Sequence, residues 1–159
     1  MNNGIFNGTV PGPFIRARVR DVVELSLTNR DETGNPHNID YHAILGPRGG
    51  SALTTAEEGQ TKTARFQLHC PGLYMYHFAA ASVPVHIANG VYGLMYVQPA
   101  EGDLATVDRE YYVMQSDFYH EALEIKDDGK PSFKNEVFVS KCGSRRAKCR
   151  CLQMDMRPR

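Results

Sequence analysis

The sequence predicts an all-β fold, a sandwich or barrel of antiparallel strands, on three observations. Apolar and polar residues alternate with a period of two in several short runs. Turn-forming clusters separate those runs: PGP at 11–13, GPRGG at 46–50, EEG at 57–59 and PAEGD at 99–103. Between residues 14 and 118 no stretch carries a convincing helical period.

Taken in order, Val23, Leu25 and Leu27 alternate with Glu24, Ser26 and Thr28, the pattern of a half-buried strand. Ala64, Phe66 and Leu68 alternate in the same way with Arg65, Gln67 and His69. Pro71-Gly72 is a turn signal, and the apolar run Leu73 to Phe78 follows it. Val91 to Val97 and Tyr111 to Met114 are two further apolar, aromatic-rich runs. These place one sandwich domain over residues 8–99 and a linker over 100–110. REYYVMQSDFY then opens a fresh strand with too few successors for a second sandwich, so 111–140 reads as a truncated second-domain remnant. Residues 141–159 have neither alternation nor a helical stripe and read as an irregular basic tail.

A chain of 159 residues can bury one respectable core. Its longest apolar run is far short of a membrane span. The opening residues, MNNGIFNGTVPGPF, read as the start of a folded domain and not as a secretory signal. The formal net charge of zero hides an asymmetry, because the tail holds seven Lys or Arg residues and one acid. The body is correspondingly acidic, and the tail lacks the aromatic or amphipathic spacing of a nucleic-acid binder, so no nucleic-acid partner is expected. Cys142, Cys149 and Cys151 also lie in the tail, with no second ligand pair or histidine to complete a metal site.

The segments PHNIDYH (36–42), GLYMYHF (72–78) and VHIANGVYG (85–93) bring histidines onto strand-like runs. Residues of equal parity on a strand share a face, and neighbours diverge. Asp40 and His42 therefore share one face, while His37 can look to the other; His77 and Phe78 must likewise part. Two clusters follow, one of Asp40, His42 and His77, the other of His37, Phe78, His86 and Val91. A single buried histidine is more often a hydrogen-bonded core residue than a ligand, and spacing alone leaves both readings open.

TVPGPFIRARV, PHNIDYHA, GPRGG, PGLYMYH, HIANGVYGLMYVQP and VDREYYVMQSDFY resemble consecutive motifs of the copper-containing nitrite reductases, in that family's order and spacing over roughly residues 8–120. The resemblance implies a cupredoxin-like Greek-key β-sandwich, copper as cofactor, nitrite as substrate, nitric oxide as product, a homotrimer, an electron-donor protein and a periplasmic location. It makes His42 and His77 ligands of the catalytic (type 2) copper and Asp40 the proton donor beside it. His37 and His86 match the two imidazole positions of the blue (type 1) copper. The thiolate and thioether positions of that blue site are Phe78 and Val91, which implies that it is lost, since a blue site depends on a copper–thiolate bond. Cys70 precedes the Pro71-Gly72 turn and is no evident substitute. The third type 2 histidine comes in that family from the second domain, and His120 matches no ligand motif. Impaired activity is expected of the isolated chain. The alternative expectation is a non-catalytic structural or interaction module derived from a truncated or frame-shifted nitrite reductase.

Overall fold

A computed structural model describes residues 6–32, 34–80 and 83–116. Among these residues six strands form: β1 (Ile15–Arg18), β2 (Val22–Thr28), β3 (Ile39–Tyr41), β4 (Thr61–Gln67), β5 (Gly72–Phe78) and β6 (Tyr92–Gln98). Two short helices, α1 (Ser51–Thr54) and α2 (Val83–Ala88), interrupt them. The strands divide into a four-stranded sheet, ordered β1-β6-β5-β3, and a two-stranded sheet of β2 and β4. From β1 to β5 each successive strand lies in the other sheet, and only β5 and β6 are both consecutive and adjacent. These crossovers are those of a Greek-key sandwich.

The period-two runs face as expected. In β2, Val23, Leu25 and Leu27 turn inward while their neighbours are exposed, and in β4 Ala64 and Phe66 do the same. The pair is antiparallel, with Val23 opposite Phe66 and Leu25 opposite Ala64. On its outer face the Ser26 and Thr63 hydroxyls meet at 2.7 Å and the Arg65 guanidinium donates to Glu24 at 2.7 Å. The core between the sheets is built on Ile39, Tyr41, Leu68, Tyr76, Met95 and Val97, with Val23, Leu25, Leu27 and Phe66 packed against it.

Strand β6 is buried along most of its length, as befits a strand paired on both sides. Gly93 stands directly opposite Tyr76, and a Cβ there would collide with the Tyr76 ring. The missing side chain is therefore the seat of the tyrosine, whose hydroxyl donates to the Pro13 carbonyl at 2.5 Å. Beside it the Tyr41 ring lies 5.4 Å away, and burial pushes the Tyr41 hydroxyl up to a pKa of about 12.

Three local expectations need correction. The sandwich is not antiparallel throughout, because β1 pairs with β6 in parallel, Ile15 opposite Met95. No hairpin constrains these two strands, since almost the whole domain is the connection between them. Tyr111–Ser116, expected to open a new strand, carry no regular structure. His86 lies on α2 and not on a strand, so strand parity has no bearing on its direction.

The described residues up to Glu110 fall in one compact unit, which ends before Tyr111. Residues 100–110, expected as a linker, hold no strand or helix but are tied to β1 and β6. Arg18 donates to the carbonyls of Pro99 and Gly102, Tyr96 donates to Asp103, and Arg16 pairs with Glu110. The rest of the expected second-domain remnant and the basic tail, with His120, Cys142, Cys149 and Cys151, lie outside the described residues.

Candidate metal centre

The register of β3 against β5 decides which side chains meet. Ile39 lies opposite Phe78, Asp40 opposite His77 and Tyr41 opposite Tyr76. One step beyond β3 the ladder continues, with the His42 N–H donating to the Met75 carbonyl at 3.1 Å. Ile39, Tyr41, Tyr76 and Phe78 are the buried members of these pairs. Asp40, His42 and His77 alternate with them and so occupy the outer face, where His42 is exposed and the other two half-buried.

On that face the Nε2 atoms of His42 and His77 lie 3.1 Å apart, with the rings nearly perpendicular at 75°. The possible ligand atoms of Asp40, His42 and His77 all fall within 4.8 Å of one another. Among the described residues no other group of three or more His, Cys, Asp or Glu side chains converges in this way. Nδ1 of His77 is 2.8 Å from the Phe78 carbonyl. A carbonyl only accepts, so Nδ1 carries a proton, and the tautomer this selects turns an Nε2 lone pair toward His42. This is the arrangement in which a backbone acceptor fixes the tautomer of a metal-binding imidazole.

The donor set fits a borderline transition-metal ion. Two nitrogens that each bond one ion at about 2.0–2.1 Å cannot lie more than about 4.2 Å apart, and 3.1 Å meets that limit. Imidazole suits copper and zinc, and the exposed side leaves room for a further ligand. The turn Pro47–Gly50 backs Asp40. Gly49 sits there with φ +51°, and a Cβ on it would fall on Asp40 Oδ1 and on the backbone of Tyr41. Only glycine combines that backbone angle with that approach. The sequence marks GPRGG as turn chemistry; its service to Asp40 shows only once the turn is folded over β3.

The second group converges on the inner side. His37 is buried, and its backbone bridges to Ala56 by bonds of 3.0 and 2.8 Å. The Phe78 ring, 1% exposed, lies 4.0 Å from the His86 ring and 4.9 Å from that of His37, while the two imidazoles are 5.8 Å apart. Val91, 2% exposed, accepts from the Phe78 N–H at 3.1 Å and donates to the His86 carbonyl at 3.0 Å. The four positions thus meet as expected, although α2 and not a strand delivers His86. Cys70 is exposed in the turn before β5.

Asp31 was not anticipated. Its Oδ2 lies 2.8 Å from His37 Nε2, both side chains being about nine-tenths buried. The loop that carries it is folded back by the Asn29 side chain, which donates to the carbonyls of Asn35 and Ala56 and accepts from the Asp31 N–H. No period or motif signals such a contact. Within this group the His86 pKa is lowered, first by burial, then by His37, against an opposing pull from Asp31. A folded pKa below the unfolded value of about 6.5 means that the unfolded chain binds the proton better. The contribution of His86 to stability is therefore present above about pH 6.5 and is lost as pH falls through the lower folded value. His86→Gln should flatten that part of the stability profile, measured by urea unfolding between pH 7.5 and 5; an unchanged slope would count against it.

A family model described as multicopper oxidase matches residues 3–102. The copper-containing nitrite reductase of Neisseria meningitidis serogroup A is 50% identical over 114 residues, covering 72% of this chain and 29% of that protein. The copper-containing nitrite reductase of Rhizobium meliloti is 41% identical over 121 residues, covering 72% and 32%. Among solved structures, a copper nitrite reductase from Nitrosomonas europaea superposes with a TM-score of 0.70 at 31% identity, covering 86% of this chain and 45% of that one. A blue copper oxidase from the same organism gives 0.60 at 30% identity, covering 72% and 38%. The chain thus spans about a third of the length of the curated relatives named here. By its sequence and by its cupredoxin-type sandwich, the chain belongs to the multicopper oxidase family, and the curated relatives named here are copper-containing nitrite reductases.

Proposed function

We propose that this chain is a copper-binding cupredoxin domain of the nitrite reductase kind, with its catalytic-type copper site kept and its blue site replaced by packed core. The observation that carries the reading is the 3.1 Å approach of the His42 and His77 Nε2 atoms beside Asp40. His42 and His77 would hold the ion, and a bound copper would supply a Lewis-acidic centre and a one-electron couple. The reaction is the reduction of nitrite by one electron and two protons to nitric oxide and water. Asp40 would hold a proton at its carboxylate and pass it to a nitrite oxygen on the open side. The third imidazole belongs to a part of the protein beyond residues 6–116, and a trimer in the periplasm is part of the same reading.

Phe78 and Val91 support the loss of the blue site, because their side chains take up the space that a thiolate and a thioether would need. Without that relay the isolated chain reduces nitrite slowly at best. The same packing supports a second reading, a non-catalytic module that binds no copper. Nitrite titration of the copper-loaded chain, followed by electron paramagnetic resonance, separates the two. The copper signal should shift with nitrite, and Asp40→Asn should weaken the nitrite dependence about tenfold or more. A bound copper whose signal ignores nitrite would contradict the proposed substrate, and a chain that takes up no copper would favour the module.

A further inference from the structure

The outer face of the β3–β5 ladder carries a fourth side chain that the carboxylate–imidazole group does not include. Asp40 stands opposite His77, and the same register sets His42 opposite Met75, with the backbone bond from the His42 N–H to the Met75 carbonyl holding them together at 3.1 Å. Met75 is two residues from His77 on β5, so both point to the outer face. Asp40, His42, Met75 and His77 are thus the corners of one rectangle, in which directly opposite Cβ atoms lie about 4.5–5.5 Å apart. Met75 is 45% exposed there, so burial does not account for it, and a strand position of this kind favours β-branched or aromatic residues over a flexible thioether.

We propose that the Met75 thioether is a further ligand, supplied by this chain, of a copper(I) ion held by His42 and His77. The inference rests on the copper site proposed above. A thioether is a soft ligand and selects copper(I), imidazole serves either oxidation state, and the carboxylate of Asp40 is a hard donor that favours copper(II). Two imidazoles and a thioether make a three-ligand set for the reduced ion from this chain alone. The long unbranched Met75 side chain can swing toward the His42–His77 pair without moving the strand. Such a site favours the reduced state, so diffusible reductants can charge it where no blue copper relays the electron.

Met75→Leu tests this, because it removes the sulfur at nearly constant volume from an exposed position and leaves the fold intact. Copper(I) affinity of the full chain is read by competition with a chromophoric copper(I) chelator, and copper(II) affinity by calorimetry. The substitution should weaken copper(I) binding at least tenfold and copper(II) binding less than threefold. The copper(II)/copper(I) potential should fall accordingly, by about 59 mV for each tenfold of differential loss. X-ray absorption of the copper(I) protein should show a sulfur neighbour that vanishes in the variant. Unchanged copper(I) affinity in Met75→Leu, with His77→Ala still weakening uptake at least tenfold, would overturn the role of Met75 and leave the underlying site standing. Copper uptake indifferent to both His42→Ala and His77→Ala would overturn the site itself, and this ligand with it.

Discussion

The double substitution Phe78→Cys and Val91→Met is expected to turn the copper-loaded protein intensely blue. Position 78 lies between two standing imidazoles, with ring separations of 4.0 Å to His86 and 4.9 Å to His37. A thiolate there would supply the bond on which the charge-transfer band depends, and a thioether at 91 would supply the long, weak axial contact. Val91 is bonded through its backbone to both Phe78 and His86, so its side chain is set against the same pocket. Asp31 engages Nε2 of His37 and leaves Nδ1 for a metal, the carboxylate–imidazole arrangement that orients metal ligands. Replacing a fully buried ring by a thiol costs about 2–4 kcal/mol, partly offset by the larger methionine and by copper binding to the native state. The check is the visible spectrum and hyperfine splitting of the variant loaded with copper(II). A folded variant that binds copper without colour would show that positions 37, 78 and 86 do not present their ligand atoms to one point. The unmodified protein should stay colourless under the same loading.

Much of the site was legible because strand parity and cross-strand register are short-range properties. Once PHNIDYH and GLYMYHF are read as strands, Asp40, His42 and His77 must separate from His37 and Phe78, and the observed register keeps that division. The alternation of Val23, Leu25 and Leu27 fixed the inward face of β2 for the same reason. The parts that escaped depend on contacts distant in sequence or on backbone angles without a periodic mark. The parallel pairing of β1 with β6 closes almost the whole domain, and nothing local to either strand announces its direction. VPVHIA forms the short helix α2, too brief for a helical period to show. The Asp31–His37 pair requires the 29–36 loop to fold back on itself, and the support that Gly49 gives Asp40 requires a left-handed turn laid over β3.

Removing either outer imidazole should have the largest effect on copper. His77→Ala or His42→Ala deletes one of two facing nitrogens, and affinity should fall at least tenfold, about 1.4 kcal/mol, with little change in stability for His42→Ala, since His42 is exposed. His37→Ala should do the reverse. It removes the buried imidazole partner of Asp31, at a cost of about 1.5–3 kcal/mol in unfolding free energy, and leaves copper uptake near its original level. The contrast separates a binding role from a packing role without relying on turnover.

The most direct measurement is a calorimetric copper(II) titration of the wild-type chain beside the His42→Ala/His77→Ala and His37→Ala/His86→Ala double variants, with unfolding curves for each. The wild type and the His37/His86 variant, the latter less stable, should each bind one copper per chain saturably, and the His42/His77 variant should not. Uptake that survives loss of His42 and His77 but disappears with His37 and His86 would contradict the assignment of the metal to the outer face.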